Sequence, residues 1–246
     1  MATFAAASLV ALAILASFGC GSWLARVTGP PTHPPLSADA VAEACNAAES
    51  QLHPFVVAWD ELSDFESHAR QGTVLVHVEG CAIEPLYACA DAHFGGYAPA
   101  EQVTSVLEVL DIKTEDDLYA KLPIGAATLA ERVQAGRVVR LRYVIGGTIT
   151  ATRPALYQGE LKGLNACATA THFIAAYDVG AFAISAIDPS AASVDATDGG
   201  ATVEGNGAEL RAGGTLSSCQ GDDRSQCLVP LRLTLRKIAP GAGSPP

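Results

Sequence analysis

Positive charge is scarce in this chain. Among its 246 residues, 15 are Lys or Arg and 26 are Asp or Glu, which gives a net charge of −11 at pH 7. Only 17% of the residues are charged, below the figure of about 25% for ordinary soluble domains. Duplex nucleic acids are bound by clustered Lys and Arg that displace counterions from the phosphates, and anionic membrane surfaces by polybasic segments. The composition therefore argues against a nucleic-acid partner and against a polybasic membrane-surface protein.

Motifs of known chemistry are also missing. The sequence has no Gly-x-Ser-x-Gly elbow, His-Glu-x-x-His helix, P-loop, Gly-x-Gly-x-x-Gly fingerprint or EF-hand loop. Its six histidines are scattered and no Cys-x2-Cys pair occurs, so no spacing typical of zinc ligands is present. We therefore predict no catalytic, cofactor-binding or metal-binding residues, and a protein that is not an enzyme.

The N-terminus carries no side-chain charge between Ala2 and Ala25. The 17 residues from Thr3 to Gly19 are almost wholly apolar, which is near the lower limit for a helix that spans a bilayer. This run predicts a targeting segment. Cys20 and a Pro-rich stretch at 29–35 follow it, and the combination resembles a bacterial lipoprotein signal, in which the cysteine carries the lipid and becomes the mature N-terminus.

We accordingly predict a signal peptide at 1–19, a lipid-anchor tether at 20–36 and an envelope domain at 37–246, with Cys20 lipidated. An uncleaved anchor helix and ordinary signal cleavage stay open as alternatives, and in each case the rest of the chain is exported. Gly21, and not Asp, follows Cys20, which favours the outer membrane, with the domain facing the periplasm or the exterior.

The cysteines after Cys20 are even in number, which in an oxidising compartment predicts disulfides. The six candidates are Cys45, Cys81, Cys89, Cys167, Cys219 and Cys227. Six cysteines allow 15 connectivities. We predict one pair, Cys219–Cys227, because the residues between them are polar and turn-forming.

Hydrophobic periodicity and turn residues predict the elements. Expected helices are 38–51 with Ser37 as the N-cap, a short helix after a capping box at 63–66, one after Thr114 that ends at Leu122, and 126–135 closed by Gly136. Expected strands are 54–59, 73–79, 86–90, 138–152 with a bend at Gly146-Gly147, 171–186 with a kink at Gly180, and 228–238. The predicted class is α+β: a single disulfide-stabilised domain with an antiparallel or mixed sheet and about four short helices.

Residues 188–218 are rich in Gly, Ala and Asp and have few apolar side chains. Little burial could offset the entropy of ordering them, so we predict a mobile loop. A second interpretation stays open, in which residues 183–216 form a hairpin that inserts into a membrane as part of an oligomer.

Two groups of side chains carry an alternative hypothesis, an envelope-active hydrolase. His172 lies five residues after Cys167 and would form a nucleophile pair with it only if that thiol were free. Asp60, Glu61 and Asp64 follow Trp59, a combination that would suit acid–base work on a sugar. A strand histidine near a disulfide and an acidic helix N-terminus explain both groups without catalysis.

Four segments together carry a resemblance to a family. They are Gly80-Cys81, Leu122 to Ala127, Gly163 through Cys167 to Phe173, and Val179 to Phe182. From about Val56 to Ile238 the chain resembles secreted lipoproteins of myxobacterial-type bacteria, a family that lends no established activity. The resemblance implies a Gly/Ala-rich insert at 188–216 and a lipid on Cys20. We expect a non-enzymatic protein of the cell envelope, held to the membrane by that lipid, that binds a protein or envelope component and needs no cofactor.

Overall fold

The structure is a computed structural model. It describes residues 37, 39–40, 53–80, 82–89, 94–103, 106–189, 207–221 and 225–241. The predicted signal peptide and tether, Cys20 included, lie outside these residues, as do Cys45 and Cys81.

The described residues form an α+β fold with an eight-stranded antiparallel sheet, which confirms the predicted class. The strands are β1 (Leu75–Glu79), β2 (Ala82–Pro85), β3 (Glu101–Gln102), β4 (Leu107–Ile112), β5 (Val138–Thr150), β6 (His172–Ile187), β7 (Ala208–Gly213) and β8 (Val229–Lys237). The complete α-helices are α1 (Leu62–Ala69), α2 (Glu115–Lys121), α3 (Ala126–Gln134) and α4 (Leu216–Gln220). Three short 3-10 turns lie at Tyr87–Cys89, Gln158–Leu161 and Asn165–Cys167.

Strand β6 is the centre of the sheet. His172 pairs with both Val76 and Lys237, and Phe182 pairs with both Tyr143 and Gly213. Strands β1 and β5 therefore follow one another along one edge of β6, and β8 and β7 along the other. Because β6 is enclosed on both edges and both faces, its sequence reads as a nearly continuous apolar run.

Bulges change the direction of side chains along β6. Its pairing with β8 shifts register between Ile174 and Ala176, and the pairing of β5 with β6 shifts between Ile145 and Gly147. The bend predicted at Gly146-Gly147 is thus a β-bulge. No break occurs at Gly180: a Cβ there would overlap the carbonyl oxygen of Val144, so this glycine permits close approach within one continuous strand.

One face of the sheet, which we call the helical face, is covered by α1, α2 and α3. Around α2 and α3 the buried core includes Leu118, Leu129, Leu141 and Ile184. Around α1 it continues with residues such as Phe65, Val76, Ile174 and Leu233. Each helix contributes apolar residues at helical spacing, which is the stripe expected of a helix on a sheet.

The opposite face, which we call the disulfide face, is covered mainly by irregular segments. One cluster surrounds the Cys89–Cys167 disulfide and includes Phe94, Leu156 and Phe173. A smaller cluster brings Val144 and Ala181 against the Cys219–Cys227 disulfide. A Cβ at Gly146 would overlap the sulfur of Cys227, so a glycine is needed where this bond meets β5.

Helix ends follow the predicted residues in most cases. The Ser37 hydroxyl accepts a hydrogen bond from the Ala40 amide at 3.2 Å, which confirms the cap, while the rest of that helix lies outside the described residues. Thr114 caps α2 by accepting from Asp117 N–H at 3.2 Å. The predicted capping box at 63–66 is wrong: α1 begins at Leu62 and Glu61 makes no side-chain cap bond.

Two predicted strands are absent from the described chain. Residues 54–59 contribute a single bridge, Phe55 to Arg232, before the chain turns at Val56 to Trp59. The strand at 86–90 is replaced by β2 and the 3-10 turn that follows it. Strand β2 ends at Pro85, and the turn brings Cys89 to Cys167, a contact between residues 78 apart in sequence.

The loop predicted at 188–218 extends too far toward the C-terminus. Residues 208–213 form β7, which pairs with β6 from Phe182 to Ala186, and α4 begins at Leu216. Residues 190–206 lie outside the described part. The short alternation in β7 becomes a strand because β6 offers a free edge for it. No helix among the described residues is long and apolar enough to cross a membrane.

Candidate functional site

Both described disulfides are buried and join elements that cover the same face of the sheet. Cys219–Cys227 is confirmed, with a Cα–Cα distance of 5.1 Å. Cys89–Cys167, with a Cα–Cα distance of 5.2 Å, joins residues 78 apart in sequence. Both distances lie within the normal range for a disulfide.

The proposed nucleophile pair of Cys167 and His172 is wrong, because Cys167 is bonded to Cys89 and offers no thiol. His172 Nδ1 lies 2.9 Å from the Thr171 hydroxyl. Partial burial, together with the nearby Lys237 ammonium, lowers the pKa of His172 below its usual value. The side chain is therefore held neutral near pH 7, as a strand histidine beside a cation would be.

The acidic group at 60–64 is divided by the structure. Asp60 forms an ion pair with Arg211 at 3.1 Å, and Arg211 also donates to the Trp59 carbonyl at 2.7 Å. Trp59 is buried, with its ring 6.0 Å from that of Phe65. A sugar cannot stack on a tryptophan in this position, so the combination of Trp59 with Asp60 is a core anchor and an ion pair.

A different set of side chains comes together on the exposed side of α1. Glu61, Asp64 and His68 follow each other at intervals of three and four residues, which places them on one side of the helix. The His68 ring stacks on Tyr87 at 4.3 Å between centroids. Burial, with added repulsion from Glu61 and Asp64, raises the pKa of Tyr87.

Two polar atoms of this α1 cluster are buried without partners. His68 Nδ1 and Tyr87 Oη make no hydrogen bond, and such groups cost about 1–3 kcal/mol each. They are the two such side-chain atoms found within the described chain. The helical spacing of Glu61, Asp64 and His68 could have been read from the sequence, but Tyr87 lies on another element and carries no local signal.

A ladder of polar side chains crosses the middle of the sheet. Asp178 on β6 accepts from the Thr148 hydroxyl at 2.7 Å and from Arg232 Nε at 2.9 Å. Nearby, Tyr143 donates a hydrogen bond to Glu108, and burial raises its pKa. The ladder is satisfied within the protein, so it is suited to tying β5, β6 and β8 together.

Among the described residues, no group of three or more His, Cys, Asp or Glu side chains is arranged to hold a metal ion. The segment 183–216 is tied into the sheet at both ends, since Ala183 pairs with Ala212 and Ala186 with Ala208. Membrane insertion of this segment would require those pairs to break.

The described residues thus define an antiparallel α+β domain that carries two buried disulfides and one unsatisfied His–Tyr pair. No model of a known protein family matches the chain, and no curated protein is significantly similar to it in sequence.

Proposed function

We propose that the chain is a lipid-anchored protein of the bacterial cell envelope that binds a protein or envelope component and is not an enzyme. One observation carries the proposal: both described disulfides are buried within the fold. Disulfides of this kind persist in oxidising compartments and are rare in the cytosol, where thiols are kept reduced. They therefore support export, which is what the apolar run before Cys20 predicts.

The resemblance to secreted lipoproteins supports the anchor at Cys20. Each buried methylene of an acyl chain contributes about 0.8 kcal/mol to membrane binding, so two or more chains hold a protein stably. The Pro-rich stretch at 29–35 would separate the domain from the membrane surface as a stiff spacer.

Mass spectrometry of the mature N-terminus tests the anchor directly. We expect an N-terminal peptide that begins at acylated Cys20, and a Cys20→Ser variant that loses the acyl mass and leaves the membrane fraction. An intact Met1, or an unmodified peptide that begins after Cys20, would contradict lipidation.

Crosslinking in intact cells, followed by purification from membranes, tests the binding role. We expect a defined partner with the anchored wild-type protein and much less of it with Cys20→Ser, because anchoring raises the local concentration. Equal recovery of the same proteins from both samples would indicate non-specific capture and contradict the proposal.

A second candidate function, an envelope hydrolase, is favoured by the α1 cluster. His68 and Tyr87 are unsatisfied beside the acidic residues Glu61 and Asp64, and polar groups kept at such a cost concentrate at functional sites. Hydrolysis of purified cell-wall sacculi or of simple esters by the wild type, abolished by His68→Gln with the fold intact, would support it. The first proposal expects no turnover by either protein.

A further inference from the structure

Exposed large apolar side chains concentrate at one edge of the sheet. Four are found among the described residues, and Val103, Val106 and Val109 lie on or beside β4. Val106 is 66% exposed and Val109 is 54% exposed. Strand β4 pairs with β5 on one side, and within the described chain no strand pairs with its other side.

The other edges are less suited to pairing. Strand β2 is four residues long, carries Glu84 and ends in Pro85, and both short length and proline block the addition of a strand. The outer side of β8 is partly occupied, because Val56 N–H donates to the Leu231 carbonyl and Leu233 N–H donates to Pro54. Strand β7 has no exposed large apolar side chain. Strand β4, which carries the exposed Val109 and has one side without a partner strand among the described residues, is a template for another strand.

Charge indicates which strand fits there. Tyr143 holds Glu108, and Arg140 binds both oxygens of Asp111 at 2.7 and 3.0 Å. Lys113 follows the strand, and the guanidinium of Arg142, which lies directly opposite Val109, makes no hydrogen bond or ion pair with any described residue. The two acids of β4 thus have partners in their own chain, whereas the Arg142 guanidinium beside them has none among the described residues, so this edge has a positive group to which a carboxylate on an added strand can bind.

We propose that a second copy of this chain pairs its own β4 with β4 in antiparallel register, on a two-fold axis through Val109. In an antiparallel pair of strands, directly facing residues have their side chains on the same side of the sheet. A two-fold axis perpendicular to the sheet therefore passes midway between the two copies of one residue. Val109 is the exposed apolar residue near the middle of β4. This register places Val109 against its own copy, Val106 against Ile112 of the copy, and Leu107 against Asp111 of the copy.

The pairing also brings a carboxylate toward the unpaired cation. Arg142 lies on the same side of the sheet as Val109, and Asp111 of the copy lies two strands away and two residues along. With strands about 4.8 Å apart and residues about 3.4 Å apart, the Cα atoms are separated by roughly 12 Å, which the two extended side chains can span. A six-residue edge buries less than a standard interface, so we expect a weak dimer with a Kd on the order of 10 µM or higher.

Cysteine substitution tests the register. Across a two-fold axis, the copies of residue 109 lie about 5 Å apart between Cα atoms, within disulfide range. Val106→Cys is the matched control: it is more exposed, but its two copies would lie about 20 Å apart. We expect Val109→Cys to form a disulfide dimer on a non-reducing gel at least ten times as efficiently as Val106→Cys, with the wild type as the baseline for the native cysteines.

Equal crosslinking by both variants would indicate random collision and overturn the proposal, as would crosslinking of Val109→Cys no greater than that of the wild type. Sedimentation of the full mature chain provides the second measurement. We expect concentration-dependent association of the wild type that weakens at least tenfold in Val109→Lys and is unchanged in Leu228→Lys, a 59% exposed residue outside β4.

A wild type that stays monomeric up to about 500 µM would overturn the proposal. A monomer whose position 109 photocrosslinks to a different envelope protein in cells would also overturn it and assign this edge to that partner. As a control for folding, each variant should unfold thermally with the same midpoint temperature as the wild type.

Discussion

The two faces of the sheet are stabilised by different means. On the helical face, α1, α2 and α3 bring buried residues such as Phe65, Leu118 and Leu129 against the strands. On the disulfide face, the cover consists of 3-10 turns, irregular segments and the five-residue α4, with a disulfide in each of its two clusters. The difference lies in the chain that covers each face, since both faces use the same strands.

Regular helices satisfy their own backbone hydrogen bonds and present an apolar stripe, so packing them on the sheet buries many apolar side chains for each residue that is ordered. Irregular segments present fewer apolar side chains per residue and lose more freedom on ordering. A covalent link reduces that loss by restricting the unfolded chain. We infer that the disulfide face makes the fold depend on an oxidising compartment, whereas the helical face does not.

The largest expected effect is loss of the Cys89–Cys167 bond. Replacement of both cysteines by Ala should lower the free energy of unfolding by about 4.5 kcal/mol, and replacement of Cys219 and Cys227 by about 2.5 kcal/mol, because the first bond closes the longer loop. Chemical denaturation measures both. Equal losses, or a larger loss for the shorter loop, would mean that local strain and not loop length determines the stabilisation.

A large-to-small change on the helical face should have the next largest effect. Leu141 is fully buried against α2 and α3, and Leu141→Ala should cost about 3 kcal/mol through the cavity it leaves. The same loss of free energy should be measured after the disulfides are reduced, under conditions in which the reduced protein is still folded. Leu228→Ala, an exposed control, should change the free energy by less than about 0.5 kcal/mol. A cost that disappears on reduction would show that the two faces are not independent.

Some of this arrangement could be predicted from sequence. Cys219 and Cys227 are eight residues apart with only turn-forming residues between them, so their pairing is a local property. Thr114 and Gly136 mark helix ends by the same kind of local chemistry. Cys89 and Cys167, 78 residues apart, meet only when β1 and β6 pair.

At the candidate site, too, local features could be predicted from sequence and contacts between distant segments could not. The position of Asp60 and Asp64 just after Trp59 suggested a site, yet Asp60 forms an ion pair with Arg211 of β7, a strand in a region predicted as a loop. The stack of His68 on Tyr87 joins α1 to the turn after β2. No periodicity within either segment predicts that contact.

A smaller effect of opposite sign is expected at the stack on α1. Tyr87→Phe removes a buried hydroxyl that has no partner and should raise the free energy of unfolding by about 1 kcal/mol. Tyr97 is the matched control, because its hydroxyl donates to the Ile174 carbonyl at 3.0 Å and accepts from Val74 N–H at 3.3 Å. Tyr97→Phe should be destabilising by about 1–3 kcal/mol. Destabilisation by Tyr87→Phe would mean that its hydroxyl has a partner in solution.

The smallest expected effects on the free energy of unfolding come from two ion pairs, Asp111 with Arg140 on the disulfide face and Asp60 with Arg211 on the helical face. Hydrogen bonds from Arg140 hold the pKa of Asp111 below its usual value. Arg140 lies on β5 between Val139 and Leu141, which are buried on the helical face, so its own side chain lies on the disulfide face. A depressed carboxyl pKa contributes stability above the unfolded value of about 3.9, and this contribution is lost as the pH falls through the folded value. Asp111→Asn should therefore cost about 1 kcal/mol at pH 7 and nothing near pH 2.

Asp60, on the helical face, is the control for this change, because its pair with Arg211 is more exposed. Asp60→Asn should change the free energy of unfolding by less than about 0.5 kcal/mol at any pH. Urea denaturation at several pH values measures both variants. A cost for Asp111→Asn that persists unchanged in acid would show that its geometry and not its charge stabilises the strands.

The sequence by itself determined the α+β class, most helix ends, the bend at Gly146-Gly147 and the Cys219–Cys227 pair, because each depends on residues within one segment. Only the tertiary structure decided that β6 is central, that Cys89 bonds to Cys167, that residues 208–213 form a strand and that β4 is an open edge. These features depend on which distant segments meet. A single sequence records that choice only weakly, because many pairings bury similar apolar surface.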